Sequence, residues 1–194
     1  MHSWTFRLNA IFTFTVTVLA VLSALNALTV AFLDPLPEAR IENVKLQRMP
    51  GSGPKQPNAN ARVMFDMHAD LRPLFTWNTK LVFLYVTAEY KTDLNQLNQI
   101  VIWDYIVEDI KHAELDVGRL QSKLLPRHHN EYPLIDQGRG IRNAHGEVKL
   151  LLNWCTMPIV GIISRQHKGQ AEFTFPATWD ALPPATHNEW QRLS

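Results

Sequence analysis

The sharpest arrangement of reactive side chains in the chain is Asp66-x-His68-x-Asp70. On an extended strand these three project from one face at steps of roughly 7 Å, with carboxylates flanking an imidazole. Such a set could hold a divalent cation, and a metal-dependent hydrolase would use it that way. The plainer reading is the wet face of a half-buried strand. That is the expectation here, because no second cluster with ligand spacing accompanies it. No metal and no cofactor is expected.

A nucleophile is equally hard to find. Beyond the apolar N-terminal stretch the serines are Ser52, Ser122, Ser164 and Ser194, and none sits in a Gly-x-Ser-x-Gly elbow. Ser122 lies next to Lys123 and Ser164 near His167, but a catalytic serine needs its base held within hydrogen-bond reach, which proximity in sequence does not supply. Cys155 is the single cysteine, so no intrachain disulfide can form. Amid apolar neighbours it reads as a small hydrophobe. There is no CxxC, no HExxH and no glycine-rich phosphate loop. No catalytic residue is expected. Lysine plus arginine number 19 against 18 acidic residues, a net charge of +1. Nucleic-acid binding would need a basic stripe, and the Arg127-His128-His129 run reads instead as a solvated loop.

The elements that would position these groups begin with a membrane segment. Leu8 to Leu33 is 26 residues without a charge, and a helix crosses the hydrocarbon core with about 20. A cleaved secretory signal is the rival, with Thr29-Val30-Ala31 as its small-residue site. A signal's apolar stretch runs about 7–15 residues, so the length favours a retained anchor. The span is placed at 11–33, after a short N-terminus at 1–10. Arg7 on one side and Arg40, Lys45 and Arg48 on the other leave orientation undecided by charge.

Along this helix Ala10, Thr13, Thr17, Ala20, Ala24, Ala27 and Ala31 recur at alternating steps of three and four, which keeps small side chains on one seam. Phe12, Phe14, Val18, Leu22, Leu25 and Phe32 fall mostly off it. Small residues let membrane helices approach closely, so the seam reads as a site for a partner helix or as ordinary span composition. Asn26 lies off the seam, and its amide would prefer a protein partner to lipid.

The rest, 34–182, reads as one domain of short strands, with a polar tail at 183–194. Val63, Phe65, Met67, Ala69 and Leu71 alternate with more polar residues, the period of a half-buried strand. Leu81 to Tyr90 is apolar on both faces, as a central strand would be. Gln99 to Val107 is rich in β-branched and aromatic residues, and Val148 to Trp154 alternates again. Ile41 to Leu46, Ile159 to Ile163 and Ala171 to Phe175 are shorter strand candidates. Turn residues punctuate them, at Pro50 to Pro54, Gly138 to Gly140 and His145-Gly146. Lys111 to Leu125 could form a helix, weakened by Gly118. The sum predicts a mainly β, two-layer antiparallel sandwich preceded by one transmembrane helix. Trp77, in a connection between strands, reads first as a core or corner plug and second as an anchor for a partner protein.

These segments carry a resemblance. Asp66-x-x-Ala69-Asp70-Leu71, Phe75-x-Trp77-Asn78-x-Lys80, Phe83 to Tyr90 (FLYVTAEY) and Asn98-Gln99-x-Val101-x-Trp103-Asp104 are similar to the family of signal peptidase complex subunit 3. Tyr132, Asp136-x-Gly138, Leu150 to Trp154, Pro158, Gly161 and Phe175-Pro176 support it. The resemblance implies a type II protein of the endoplasmic-reticulum membrane with a short cytosolic N-terminus, one span and a lumenal sandwich. It implies a non-catalytic subunit that braces a separate catalytic subunit near the lumenal membrane surface, in a complex that removes signal peptides. The implied partners are that subunit, the other subunits of the complex, the membrane and signal-peptide precursors. Phe75, Trp77, Asn78 and Trp103 become candidate interface or structural anchors. Relatives can carry a glycosylation sequon before the Trp154 strand; here that stretch is Asn143-Ala144-His145, and Asn153-Trp154-Cys155 is only a rare variant, so no glycosylation is expected. The other class of reading is an anchored lumenal binding module unrelated to a peptidase.

Overall fold

A computed structural model describes residues 3–33, 35–48, 60–92, 95–117, 130–135 and 144–175. The chain opens with a helix, α1, over Trp4–Ala31. Ser3 caps its start by accepting from the Phe6 amide at 3.3 Å. Hydroxyls that would be unpaired in lipid are satisfied within the helix: Thr15 donates to the Ile11 carbonyl, Thr17 to Thr13 and Thr29 to Asn26, at 2.8–2.9 Å. The helix ends on a tight turn, with the Leu33 amide on the Val30 carbonyl, before Pro35 and Pro37, whose rings disfavour helix in the residues ahead of them. Its mean hydropathy reaches 2.0 and no residue of its apolar window is buried within the chain. By length and composition it can cross a bilayer. It starts earlier in the chain than the expected span.

Among the described residues nine strands follow: β1 Glu38–Arg48, β2 Asn60–Asp70, β3 Thr79–Thr92, β4 Asn98–Val107, β5 Glu114–Val117, β6 Asn130–Glu131, β7 Leu134–Ile135, β8 Ala144–Pro158 and β9 Ser164–Thr174. They form two antiparallel sheets. In the smaller, β2 lies between β1 and β5, with β7 also on β2. The larger has the order β6-β4-β3-β8-β9. The mainly β, antiparallel expectation is borne out.

Period-two alternation decides which residues meet between the sheets. Val82, Leu84, Val86, Ala88 and Tyr90 of β3 are buried, opposite Leu150, Leu152 and Trp154 of β8. The smaller sheet contributes Ile41, Ala61, Met67, Ala69, Leu115 and Leu134. Trp103, a candidate anchor by sequence, is 2% exposed in this core. β3 has a ladder on each side, which makes it the central strand of the larger sheet. A bulge in β1 between Glu42 and Lys45 puts Asn43 at φ 52, a conformation asparagine tolerates better than most residues. At the far edge β9 crosses close to β1: a Cβ on Gly169 would lie 3.0 Å from the Ala39 carbonyl oxygen, and Lys168 donates to the Pro37 carbonyl at 3.1 Å.

Two expectations fail. Within Lys111 to Leu125 the described part is not helical. Asp109 caps a single 3-10 turn at Ile110–His112, and β5 then pairs with Met67 to Asp70. Leu115 is buried between exposed Glu114 and Asp116, so the neighbouring strand overrides local propensity; residues 118–125 lie outside the described residues. Ile159 to Ile163 is a bend rather than a strand. Gly161 sits at φ +122, and the Asn78 side chain takes the place of a ladder partner. The loop at 49–59, Gly138 to Gly140, Ser122 and Lys123, and the tail from 176 also lie outside the described residues.

Candidate docking surfaces at the membrane end

Residues 76–79 form a tight turn ahead of β3. The Thr79 amide donates to the Thr76 carbonyl, and the Thr79 hydroxyl donates to the Leu74 carbonyl at 2.8 Å. Trp77 stands at the corner of this turn and is 64% exposed. It is therefore no plug: a corner position turns its indole away from both sheets. Phe75 packs partly buried against the core.

Asn78, 2% exposed, binds three segments together. Its amide nitrogen donates to the Val160 carbonyl at 2.7 Å, and its amide oxygen accepts from the Val160 amide at 3.0 Å. The same oxygen accepts from Asn26 of α1 at 3.3 Å. Its backbone carbonyl accepts from the Ile159 amide at 2.7 Å. Asn26 thus has its protein partner, within the same chain. Ala27, one residue on, faces Gly161, where an added Cβ would lie 3.5 Å from the Ala27 methyl. Ser23, Asn26, Ala27 and Val30 are the partly covered positions of the helix. They share one face at helical spacing, so α1 leans on the sandwich along its last two turns. A cleft of about 470 Å³ opens between them, lined by Ala27, Val30, Leu74, Pro158 and Ile162 among others.

The seam residues divide accordingly. Ala10, Thr13, Thr17, Ala20 and Ala24 are exposed along the helix, Ala27 touches the chain's own domain, and Ala31 ends the helix.

The outer face of the larger sheet is graded. At the end nearest α1 it carries Leu81, Phe83, Tyr85, Ile106 and Met157, with the Phe83 and Tyr85 rings stacked at 5.4 Å. Burial, reinforced by the adjacent Cys155 thiol, pushes the Tyr85 phenol above its ordinary pKa. Towards the other end the face turns polar. Glu89 accepts from Gln99, Asn153 donates to Thr87, and Lys149 pairs with Glu172 at 3.2 Å.

The Asp66-His68-Asp70 set is on β2 as expected, but its carboxylates have other engagements. Asp66 accepts from Asn43 at 2.7 Å. Asp70 takes two bonds from the Arg72 guanidinium, at 2.8 and 2.6 Å, which hold its carboxyl below the usual range. Among the described residues no three histidine, cysteine or acidic side chains gather as a metal site. Ser164 and His167 are three positions apart on β9, hence on opposite faces. Asn153 is held by Thr87 and the Leu151 carbonyl within β8. Sequence reasoning did not foresee Val160 and Gly161 as the joint with the helix; the pairing of Asn26 with an apolar helix was its only signal.

Residues 1–178 match the family described as SPC22, signal peptidase subunit. The chain is 37% identical over 179 residues to signal peptidase complex subunit 3 of Dictyostelium discoideum, covering 92% of this chain and 97% of the relative. It is 36% identical over 183 residues to the protein of the same name in Drosophila melanogaster, with the same two coverages. The Homo sapiens protein of that name is 32% identical over 178 residues, 90% of this chain and 94% of the relative.

Proposed function

As the chain belongs to the signal peptidase subunit family, we propose that it is a non-catalytic accessory subunit of the endoplasmic-reticulum signal peptidase complex. In this reading the complex removes N-terminal signal peptides from nascent secretory and membrane proteins. This chain fixes the position of the catalytic subunit beside the lumenal surface of the membrane. It is a single-pass type II protein, with α1 as the signal-anchor and the sandwich in the lumen.

The observation that carries the bracing role is the Asn26–Asn78–Val160 joint. It ties the membrane helix to the first turn of the central strand and to the bend after β8. A domain attached through a free linker would wander in height above the bilayer. One locked to its own span by buried hydrogen bonds holds a set height. A reacting group displaced by about 1 Å can lose on the order of a hundredfold in rate, so a partner that sets height and tilt contributes to catalysis without touching the scissile bond.

Two surfaces suit the assembly. The exposed part of the seam, from Ala10 to Ala24, accepts a partner helix. The apolar end of the outer sheet face, around Phe83, Tyr85 and Ile106, receives the catalytic subunit's lumenal domain, with aromatic rings as the anchors interfaces favour. The test is depletion of the chain in cells, followed by a search for uncleaved precursors of secreted proteins, and re-expression for rescue. Precursors should accumulate and be cleared by the intact chain. Normal processing without it, or co-purification with signal peptidase subunits only in traces, would favour a lumenal binding module instead.

A further inference from the structure

We propose that the bend at Ile159 to Ile163, together with Trp77, inserts into the lipid bilayer beside α1 as a second, monotopic anchor. The occupant of this apolar surface is the boundary between acyl chains and headgroups.

The argument begins with exposure. Ile159 is 64% exposed, Ile162 93% and Ile163 53%. No charge interrupts the chain from Met157 to Ser164. Three isoleucines in one short bend, held out by a hydrogen-bonded asparagine rather than left loose, are not the scattered exposure normal for a surface. Trp77 is presented from the adjoining turn, since its neighbour Asn78 grips Val160. Tryptophan is the residue favoured at the depth of the lipid headgroups.

Height decides between lipid and an aqueous protein surface. The bend touches α1 at Ala27. The helix is free of charge from Leu8 to Leu33. A hydrocarbon core of about 30 Å takes about 20 residues of helix. Starting the core at Leu8 places its far boundary near Ala27. Sliding it so that it ends at Leu33 places Ala27 about 9 Å inside, at about 1.5 Å per residue. Every placement that keeps Arg7 and Asp34 out of the hydrocarbon therefore sets the bend at the boundary or below it. The polar groups at the same level agree with this. Asn78, Asn26 and the Val160 backbone satisfy one another, as lipid contact requires. Lys80 and Arg165, both exposed, follow the two apolar segments directly and can reach the headgroups.

The test uses the full chain in phosphatidylcholine bilayers with no other subunit. A phospholipid bearing a diazirine on its acyl chain should cross-link to the peptide carrying residues 159–163. It should leave peptides from the opposite end of the sandwich, around Lys91, unlabelled. In parallel, a fluorophore on Ile162→Cys, with Cys155→Ala to give a single thiol, should be quenched several-fold more by spin-labelled lipid than by aqueous iodide. A Lys91→Cys probe should show the reverse. The cross-link needs no substitution, so misfolding of a variant leaves the question decidable. Absence of a lipid cross-link at 159–163 overturns the proposal. So does an Ile162 probe that is open to iodide in lipid alone and protected only when other subunits are added, an outcome that assigns the bend to a protein partner.

Discussion

At the scale of single residues, Asn78 has the largest influence for its size. Among the described residues it is the side chain that bonds the helix, the strand turn and the post-β8 bend together. Asn78→Ala strands the Val160 amide and carbonyl and the Asn26 amide at a nearly dry site. With about 1–3 kcal/mol for each buried group left unpaired, a loss of at least about 2 kcal/mol should appear in denaturant unfolding of the reconstituted chain. A change within error would mean that water replaces the amide freely. Asp70 makes a gentler prediction. Its carboxyl is lowered first by the side-chain bond from Arg72. Stability from a lowered carboxylate is present above the unfolded value, about 3.9, and is lost as pH falls through the folded one. Both groups are solvent-screened, so the effect on stability is small, and the carboxyl chemical shift is the better reporter. Titration should show Asp70 moving up toward the ordinary value in Arg72→Gln, while an unmoved titration would remove Arg72 as the cause.

At the scale of elements, the small-residue seam of the helix divides in two. Its part from Ala10 to Ala24 is exposed, the stretch proposed for another helix, whereas Ala27 lies against Gly161. Replacing Ala20 and Ala24 by leucine should lower recovery of the complex in a pull-down and leave unfolding of the sandwich unchanged. Replacing Ala27 should disturb the chain's own joint as well. Equal recovery from all three would end the seam's role. β9 offers a matching test of closure. Gly169 is at φ +83, and a Cβ there meets the Ala39 carbonyl carbon at 3.2 Å as well as its oxygen. Gly169→Ala combines a left-handed backbone with a backbone clash, at a cost of about 1–3 kcal/mol. Amide exchange should quicken in β1 and β9 first, and a uniform change across both sheets would contradict that placement.

At the scale of the whole molecule, the two sheets share one core, and Leu84 of the central strand is fully buried in it. Leu84→Ala should cost about 2–5 kcal/mol. Ring signals from the core and backbone signals from both sheets should then melt together, because neither sheet can bury its face alone. Separate transitions would show two independent layers.

What could be read in the sequence follows from local chemistry. Charge-free length declared the span; alternation declared β2 and β8, because a strand's inner and outer faces are written at every second residue, while an apolar run declared β3 and β-branched and aromatic residues declared β4. Lone Asn26 in an apolar helix announced a polar partner without naming it. The tertiary structure decided the rest. Only the register of β3 against β8 brings residue 78 to residue 160, a separation of 82 in sequence, and no local pattern encodes which distant backbone a buried amide will meet. The same holds for the bend at Ile159 to Ile163, whose composition is that of a strand. It leaves the sheet because Asn78 supplies hydrogen bonds that a neighbouring strand would otherwise provide, and that partner exists only once the chain has folded.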